Sequence, residues 1–273
     1  MKYLALILGL LCVNQSWSQQ LPRKSSFSEI TQRVGLNDIT IAFSRPNVNN
    51  RVIFGDLVPY GEVWRLGANQ PTKIRIQEAI AINGQKLDTG YYAMFAVPEK
   101  NYWTVVFNTD TEQWGSNAYD ETKNVLSYQA AVNSNGHVES FSISFESVDE
   151  SSAVIAMEWA NVRVMVPFTT DTKATVERGF DEAIAKGEDL GRVYFNIADY
   201  YNDEGQIEKT KSFLAKSLEV ETSYYNLYLK ADLMKSEDLK EAKKLAEEAA
   251  LLAEKAEKDG WAGYIRRKVG EWK

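Results

Sequence analysis

The segment from residue 44 to residue 72 holds the side chains that are best suited to binding chemistry. It combines three arginines and four asparagines with a tyrosine and a tryptophan, and three prolines and three glycines interrupt it. Guanidinium groups bind anions through paired hydrogen bonds, and they stack on aromatic rings. We therefore predict a site for a carbohydrate or an anionic small molecule, formed by Arg45, Tyr60, Trp64, Arg65 and Asn69 with Arg51 nearby.

The same side chains also have a structural interpretation. In it, Trp64 belongs to the hydrophobic core, and Arg65 pairs with a carboxylate such as Asp120. The remaining arginine and asparagine groups then hydrogen-bond to loop carbonyl groups. The sequence alone leaves both interpretations open, because each of them needs this segment to be an ordered connection across one end of a β-sandwich.

Histidine and cysteine are too scarce for several kinds of site. The chain has one histidine, His137, and one cysteine, Cys12. Zinc sites of His and Cys, iron–sulfur clusters and multi-histidine metal centres all need more ligands than these. A Ser-His-Asp mechanism would have to use His137, which lies in Asn133–His137, a sequence typical of a β-turn. We therefore predict no catalytic residue, no metal and no cofactor.

Chemistry that uses only carboxylates, such as glycoside hydrolysis or a Ca²⁺ site with oxygen ligands, stays open. Glycoside hydrolysis needs two carboxyl groups, and the acids in or near the loops are Asp56, Glu62, Glu78 and Asp120. The sequence does not select a pair among them, and it has no phosphate-binding glycine loop and no nucleophile elbow. We favour a non-catalytic binding or scaffolding protein, and a carboxylate-dependent hydrolase acting on polysaccharide is the alternative.

Residues 1–18 have the features of a secretory signal peptide. Lys2 precedes an apolar run of about 10 residues, which is short of the roughly 20 that a spanning helix needs. Ser16-Trp17-Ser18 has the small-x-small pattern of a cleavage site. Leu11, and not a small residue, precedes Cys12, so we expect no lipid anchor. The predicted mature protein is therefore exported, to the periplasm or to the outside of a bacterial cell.

The charge balance limits the partners. The formal net charge is −7, whereas a protein that neutralises phosphates needs an excess of lysine and arginine. After the leader, no apolar stretch is long enough to span a bilayer. We therefore expect neither nucleic-acid binding nor a membrane span.

The hydrophobic pattern changes near residue 170 and divides the chain. From residue 37 to residue 168 it has a period of two, with about eight or nine predicted strands, which is typical of an all-β sandwich or jelly roll. From residue 171 to residue 273 the period is 3.6 and predicts five helices. The predicted organisation is a signal peptide (1–18), an N-terminal extension (19–36), a β-sandwich domain (37–168) and a helical repeat-like domain (171–273).

Turn signals and apolar runs place individual strands. Asn83-Gly84 predicts a tight hairpin turn. The strands at 91–97 and 102–108 are apolar almost throughout, which predicts cover on both faces. Asn133–His137 is expected to separate two strands, and Ala160-Asn161 is expected to be the turn of a last hairpin.

The helical part has the spacing of tetratricopeptide helix pairs. The residues that carry this spacing are Tyr194, Ile197, Ala198, Tyr201, Gly205, Leu214 and Ser217. A loosely similar segment follows about 32 residues later, and two such units are fewer than the roughly three that a stable solenoid needs. We therefore expect these helices to contact a protein partner or to lean on the sandwich, and a generic helical bundle is the alternative.

Three sequence stretches carry a family resemblance. They are Ser-Arg-Pro at 44–46, Gly-Asp-Leu-Val-Pro-Tyr-Gly-Glu-Val-Trp-Arg-Leu-Gly-Ala-Asn at 55–69 and Tyr-Trp-Thr-Val-Val-Phe-Asn at 102–108. With the signature VPYGxVWRxGAN, the chain resembles the exported bacterial proteins grouped as domain of unknown function 2911, over roughly Gln32 to Phe168. The resemblance implies the β architecture and export. It implies no mechanism, since the family has no established activity.

The chain departs from the family pattern at two places. Gln70 stands where Glu usually follows Gly-Ala-Asn, and Asn124-Val-Leu-Ser127 stands where the family has Asp-Val-Leu-Arg. Both departures remove charge. A ligand that other members hold through those charges would be bound differently by this chain or not at all.

Overall fold

In the described part of the chain, nine antiparallel strands form one sheet, and six α-helices follow. This computed structural model describes residues 22–273, so the predicted signal peptide lies outside the described residues. The chain divides into a β unit that ends at Thr172 and a helical unit, Lys173–Lys273. The predicted fold class, an all-β domain followed by an all-α domain, is confirmed.

The strands of the β unit pair in the order β1-β2-β3-β6-β7-β8-β9-β4-β5. Their bounds are β1 Ser26–Val34, β2 Asn37–Arg45, β3 Thr72–Ile76, β4 Ile80–Ile82, β5 Gln85–Leu87, β6 Gly90–Pro98, β7 Tyr102–Asn108, β8 Asn124–Glu146 and β9 Ser152–Thr170. The hairpin predicted at Asn83-Gly84 joins β4 to β5, and both of its turn residues have positive φ, 50° and 76°. Such a turn matches the twist of the two strands.

Strand β8 belongs to both halves of the sheet. It pairs with β7 up to Ala131 and with β9 from Val132 onward. Ser134 pairs with Val162, Val138 with Ala160 and Ser142 with Glu158. Between successive pairs, three residues of β8 therefore lie opposite a single residue of β9. Bulges of this kind bend a strand and let it pass from one layer to the other.

Two predicted turns are therefore wrong. Asn133–His137 and Ala160-Asn161 both lie inside long strands and not between strands. The two sequences lie opposite each other, so their polar residues and the positive φ of Ala160 (52°) form a joint bend in the β8–β9 ribbon. A polar, turn-like sequence usually ends a strand. Here the neighbouring strand bends at the same place, so the sequence bends the strand without ending it.

The core lies between the two layers of this folded sheet. Ile41 of β2, Trp103 of β7 and Ile155 of β9 are fully buried members of one hydrophobic cluster. The outer face of β6 and β7 is covered as well, because Phe95 and Val106 pack against Tyr119 of the 109–123 loop. The prediction that these two strands are covered on both faces is confirmed.

The sheet begins earlier than the predicted β-domain boundary at residue 37. Ser26–Val34, assigned from sequence to an extension, is the edge strand β1 and pairs with β2 over its whole length. Only its alternate residues turn inward, and among them Val34 is the one that is fully buried. An edge strand that is mostly polar gives a weak hydrophobic signal, which explains why the sequence pattern does not reveal it.

The helical unit contains one helix more than the sequence predicts. The helices are α1 Thr172–Lys186, α2 Leu190–Asp203, α3 Ile207–Val220, α4 Tyr224–Met234, α5 Leu239–Lys255 and α6 Asp259–Gly270. Helix α6 contains three glycines, which lower helix propensity, but its Ala262 and Ile265 are buried against the helices before it. Packing of its apolar face thus overrides its weak propensity.

The helices repeat at regular intervals. Helices α2, α4 and α6 begin at residues 190, 224 and 259, intervals close to the 34 residues of a tetratricopeptide unit. Helix α4 begins with a capping box of Ser223 and Asn226, and the buried Asn226 amide also donates to Ser217 Oγ (3.0 Å). Among residues 22–273, no helix is both long and apolar enough to cross a membrane.

Candidate functional site

The crossing segment, residues 46–71, is tied to the sheet at several points. Trp64 N donates to Ala96 O (2.7 Å), and Ala96 N donates back to Trp64 O (2.8 Å). Val48 N donates to Glu139 O of β8 (2.8 Å). The segment also buries three apolar side chains, those of Ile53, Val58 and Leu66. The prediction that it is an ordered connection is therefore confirmed.

Trp64 lies in the core of the β unit. It is 8% exposed, and its ring stacks on Trp159 with a centroid distance of 5.7 Å and meets Trp103 edge to face at 5.6 Å. Its indole Nε1 donates to Gly67 O (3.1 Å). The structural interpretation therefore describes Trp64 well, since its one polar atom is already bonded within the protein.

Arg45 and Arg51 hold backbone carbonyl groups. Arg45 Nε donates to Phe141 O (3.0 Å) and connects β2 to β8. Arg51 donates from Nε to Val48 O (3.0 Å) and from Nη2 to Asn47 O (2.6 Å). Their charges remain near the crossing segment, but much of their hydrogen-bonding capacity is used within the protein.

Asn69 and Tyr60 are not brought to the same place. Asn69 has φ of 61°, and its Nδ2 donates to Ser44 Oγ (3.1 Å). Asn69 lines two cavities at this end of the β unit, one beside Lys73 and one beside Arg65. The Tyr60 ring covers Gly55, where a Cβ would come within 2.8 Å of Tyr60 Cε2. Tyr60 lines neither of these cavities nor the cavity beside Trp64 and Arg65. Asn69 is therefore better placed than Tyr60 to contact a ligand.

Arg65 differs from the other two arginines of the segment. Its side chain is half-buried, and its Nε is buried with no hydrogen-bond partner among the described residues. The structural interpretation pairs Arg65 with a carboxylate such as Asp120, but the Asp120 carboxylate accepts instead from the Thr122 hydroxyl (2.6 Å) and the Thr122 N–H (3.0 Å). These bonds, with the hydroxyl the larger cause, lower the pKa of Asp120 below its ordinary value.

Three cavities meet near Arg65 and Asn69. The one that we call the Arg65 cavity has a volume of about 330 Å³, and its lining includes Asn47, Arg51, Trp64, Arg65, Gly67 and Trp159. A second of about 330 Å³ lies beside Asn69 and Lys73, and a third of about 290 Å³ lies between Arg65 and Trp114.

The lining of these cavities is basic. Among residues 22–273, no aspartate or glutamate lines any of the three, whereas their lining includes Arg23, Lys24, Arg51, Arg65 and Lys73. Of these, Lys73 is paired, to Glu112 at 3.4 Å. A basic end on a chain with a net charge of −7 concentrates positive potential where a ligand can enter.

The acids considered for hydrolysis lie elsewhere. Asp56 and Glu62 are exposed on the crossing segment, Asp120 is bonded to Thr122, and the Glu78 backbone is held by Asn37. None of the four lines the three cavities. Within residues 22–273, no group of three or more His, Cys, Asp and Glu side chains is placed to hold a metal ion.

His137 is an exposed residue of the bulged part of β8. Its Nε2 lies 3.1 Å from Glu139 Oε2. No hydrogen bond of His137 to a serine hydroxyl is found among the described residues. The pKa of Glu139 is lowered, first by the N–H of Asn49 and then by His137. This pair therefore links β8 to the start of the crossing segment.

Trp159 is the site residue that sequence reasoning misses. It lies in β9, is 1% exposed, and its Nε1 has no partner among the described residues although the residue lines the Arg65 cavity. In the sequence it is one more apolar residue of a buried strand. No local pattern indicates whether an indole N–H finds an acceptor, because the acceptor comes from a distant part of the chain.

Comparison with known proteins gives one match. No curated protein and no solved structure matches this chain. A family model described as "Protein of unknown function (DUF2911)" matches residues 25–168. The match takes in nearly all of the sheet and the whole crossing segment, and it covers more than half of the 273 residues. The chain therefore belongs to the DUF2911 family of proteins of unknown function, as the resemblance in its crossing segment predicted.

Proposed function

We propose that this protein is an exported, non-catalytic binding protein whose β unit holds a polar ligand, anionic or carbohydrate, in the Arg65 cavity. The observation that carries the proposal is the buried Nε of Arg65, which has no partner among the described residues and belongs to a side chain lining a cavity that none of their carboxylates lines. A buried charged donor that is left unsatisfied is costly. A ligand acceptor removes that cost, and so Arg65 favours the bound state.

Binding is better supported than hydrolysis. A carboxylate mechanism needs two acids facing one cleft, roughly 5 to 9.5 Å apart. The cavities around Arg65 have basic, amide and aromatic linings and no acid. Such a lining attracts an anion and provides no general acid or base for cleaving a sugar bond.

Export forms part of the proposal and rests on the sequence of residues 1–18. A charged start, a short apolar run and a small-x-small site are the features that a secretory leader needs. Comparison of the N-terminus of the protein recovered from the periplasm with that of the full-length chain tests it. A mature protein that begins at Gln19 is expected, and an uncleaved cytoplasmic product would contradict export.

The helical unit supports a separate role in contact with a protein partner. A groove of about 830 Å³ is lined mainly by α2, α4 and α6, and it includes Tyr225, Tyr228, Trp261 and Tyr264. Aromatic residues of this kind are enriched at protein interfaces. A partner that co-purifies from the cell envelope is expected to be lost from the Trp261→Ala variant and kept by Ile207→Ala, which lies outside the groove. Equal retention by both variants would contradict this role.

Binding at the Arg65 cavity is tested with Arg65→Leu and a panel of galacturonate, inorganic phosphate and galactose. Calorimetric titration of the wild-type protein is expected to show binding of an anionic probe. Arg65→Leu should weaken that binding by about tenfold or more, because a charge-assisted hydrogen bond is lost. Arg75→Leu, an exposed arginine outside the cavities, is the matched control. Unchanged affinity in Arg65→Leu, or no binding by the wild-type protein, would overturn the proposal.

A further inference from the structure

The indole of Trp159 is buried without an acceptor. Its ring packs in the core against Trp64 and Phe141, with centroid distances of 5.7 Å and 6.1 Å. Its Nε1 is covered, yet no atom of the described residues accepts a hydrogen bond from it. Buried indole N–H groups usually have a partner, and a buried donor without one needs an explanation.

Trp159 Nε1 is one of three buried side-chain atoms that have no hydrogen-bond partner among the described residues. Arg65 Nε, which lines the same cavity, is the second unpartnered buried atom. The third, Gln113 Oε1, lies in the 109–123 loop and lines none of the three cavities. Two residues with an unpartnered buried donor therefore line one cavity, the Arg65 cavity.

Both unpartnered atoms of the Arg65 cavity belong to groups that donate and never accept. An indole has one N–H donor, and a guanidinium has five donors and no acceptor. Arg51 and Lys24, which also line the cavity, are donors of the same kind. One amide acceptor of the lining, Asn47 Oδ1, already accepts from Ser140 Oγ (2.6 Å). A ligand for this lining must bring acceptors and negative charge.

We infer that Trp159 is a ligand-binding residue and that the ligand carries an oxyanion group, namely a phosphate, a sulfate or a carboxylate. The inference rests on the proposed function, since it assumes that the Arg65 cavity is the binding site. A neutral sugar fits less well, because its hydroxyl groups donate as well as accept, and this lining offers few free acceptors. An oxyanion uses the indole N–H and the guanidinium together, and the cavity contains no acid that would repel it.

The experiment follows the indole N–H of Trp159 by NMR. The ¹H–¹⁵N signal is assigned by its absence from Trp159→Phe, and inorganic phosphate, sulfate, glucuronate and neutral methyl glucoside are titrated separately into the wild-type protein. At least one oxyanion is expected to move the signal downfield with saturation, and methyl glucoside is expected to leave it in place. The probe that binds most tightly identifies the class of oxyanion.

The matched variants are Trp159→Phe, which keeps an aromatic ring and removes the N–H, and Tyr91→Phe, in a residue that is 63% exposed and lines none of the three cavities. Trp159→Phe should bind the oxyanion about tenfold more weakly, and Tyr91→Phe should bind it as the wild type does. If Trp159→Phe fails to fold, the signal is assigned in the wild-type protein from the contacts of the Trp159 ring with Trp64 and Phe141, and the titration of that signal decides.

The outcomes separate this inference from the proposed function. Oxyanion binding that depends on Arg65 but leaves the Trp159 signal unmoved overturns the inference alone. Movement of the signal by methyl glucoside and not by any oxyanion overturns the ligand class. No binding of any probe overturns both the inference and the proposed function.

Discussion

Trp64 and Trp159 stack at a centroid distance of 5.7 Å and an interplanar angle of 17°, and this contact joins the crossing segment to β9. The two indoles differ in what their N–H groups do. Trp64 Nε1 donates to Gly67 O, whereas Trp159 Nε1 has no acceptor among the described residues. One tryptophan of the pair thus stabilises the fold, and the other retains a free donor beside the cavity.

Trp64→Ala is expected to destabilise the β unit strongly. The substitution removes the ring that contacts Trp159, Trp103 and Phe54, and large-to-small changes of a buried tryptophan cost about 3–5 kcal/mol. Urea denaturation followed by near-ultraviolet circular dichroism measures the change. Trp114→Ala, in the exposed 109–123 loop, is the control and should change the free energy of unfolding by less than about 0.5 kcal/mol. Similar effects of the two substitutions would contradict the core position of Trp64.

Gly67→Ala is expected to destabilise the β unit through the backbone. Gly67 has φ of 135°, and a Cβ there would lie 2.7 Å from Ser44 O. The unfavourable conformation alone costs about 1–3 kcal/mol, and the contact with a backbone oxygen adds to it. Thermal unfolding should show a clear loss for this variant. Gly136→Ala, where a Cβ meets nothing within 4 Å and φ is not in the positive region, should leave the midpoint almost unchanged.

The helical unit is expected to lose stability at high pH partly because of Tyr228. Burial, and then Asp232, raise the pKa of Tyr228 to about 12, whereas the unfolded chain ionises tyrosine near pH 10. Between these values the unfolded state has lost the proton that the folded state keeps. The free energy of unfolding therefore falls as pH rises through this range, and the contribution of Tyr228 is fully present below about pH 10.

Tyr228→Phe tests this pH dependence. The variant cannot release a proton at this position, so its stability should fall less steeply with pH above about 10 than that of the wild type. Denaturation followed at 222 nm, at a series of pH values, reports on the helices. Tyr91→Phe, in the β unit, should retain the wild-type slope. Identical slopes for the wild type and Tyr228→Phe would show that this phenol is not held in its neutral form.

Much of the fold follows from local patterns in the sequence. The alternation around Ile39 and Ile41 places a strand, the Asn83-Gly84 pair places a hairpin, and the change of period near residue 170 separates strands from helices. These features are visible because each depends on neighbouring residues. The continuous apolar runs of β6 and β7 correctly indicate cover on both faces, since each face needs its own apolar residues.

What the sequence conceals depends on distant parts of the chain. The Asn133–His137 stretch has the composition of a turn, and it forms a bulge inside a strand only because β9, with the positive φ of Ala160, lies opposite it. Arg45 and Arg65 are the same residue type twenty positions apart, yet the Nε of Arg45 donates to Phe141 O and the Nε of Arg65 has no partner among the described residues. Hydrogen-bond partners of this kind are set by the assembled sheet, and so the candidate site could be located from sequence but its members could not be ranked.

The joining of Asn47 to Ser140, residues 93 positions apart in the chain, has a consequence for folding kinetics. The two layers close only after this long loop has formed, and domains dominated by such non-local pairing fold in milliseconds to seconds. The helix pairs form contacts between near neighbours and can fold much earlier. Stopped-flow refolding is expected to show fast recovery of helical ellipticity and a slower phase in tryptophan fluorescence, and substitutions at the β2–β8 junction should change the rate of the slower phase.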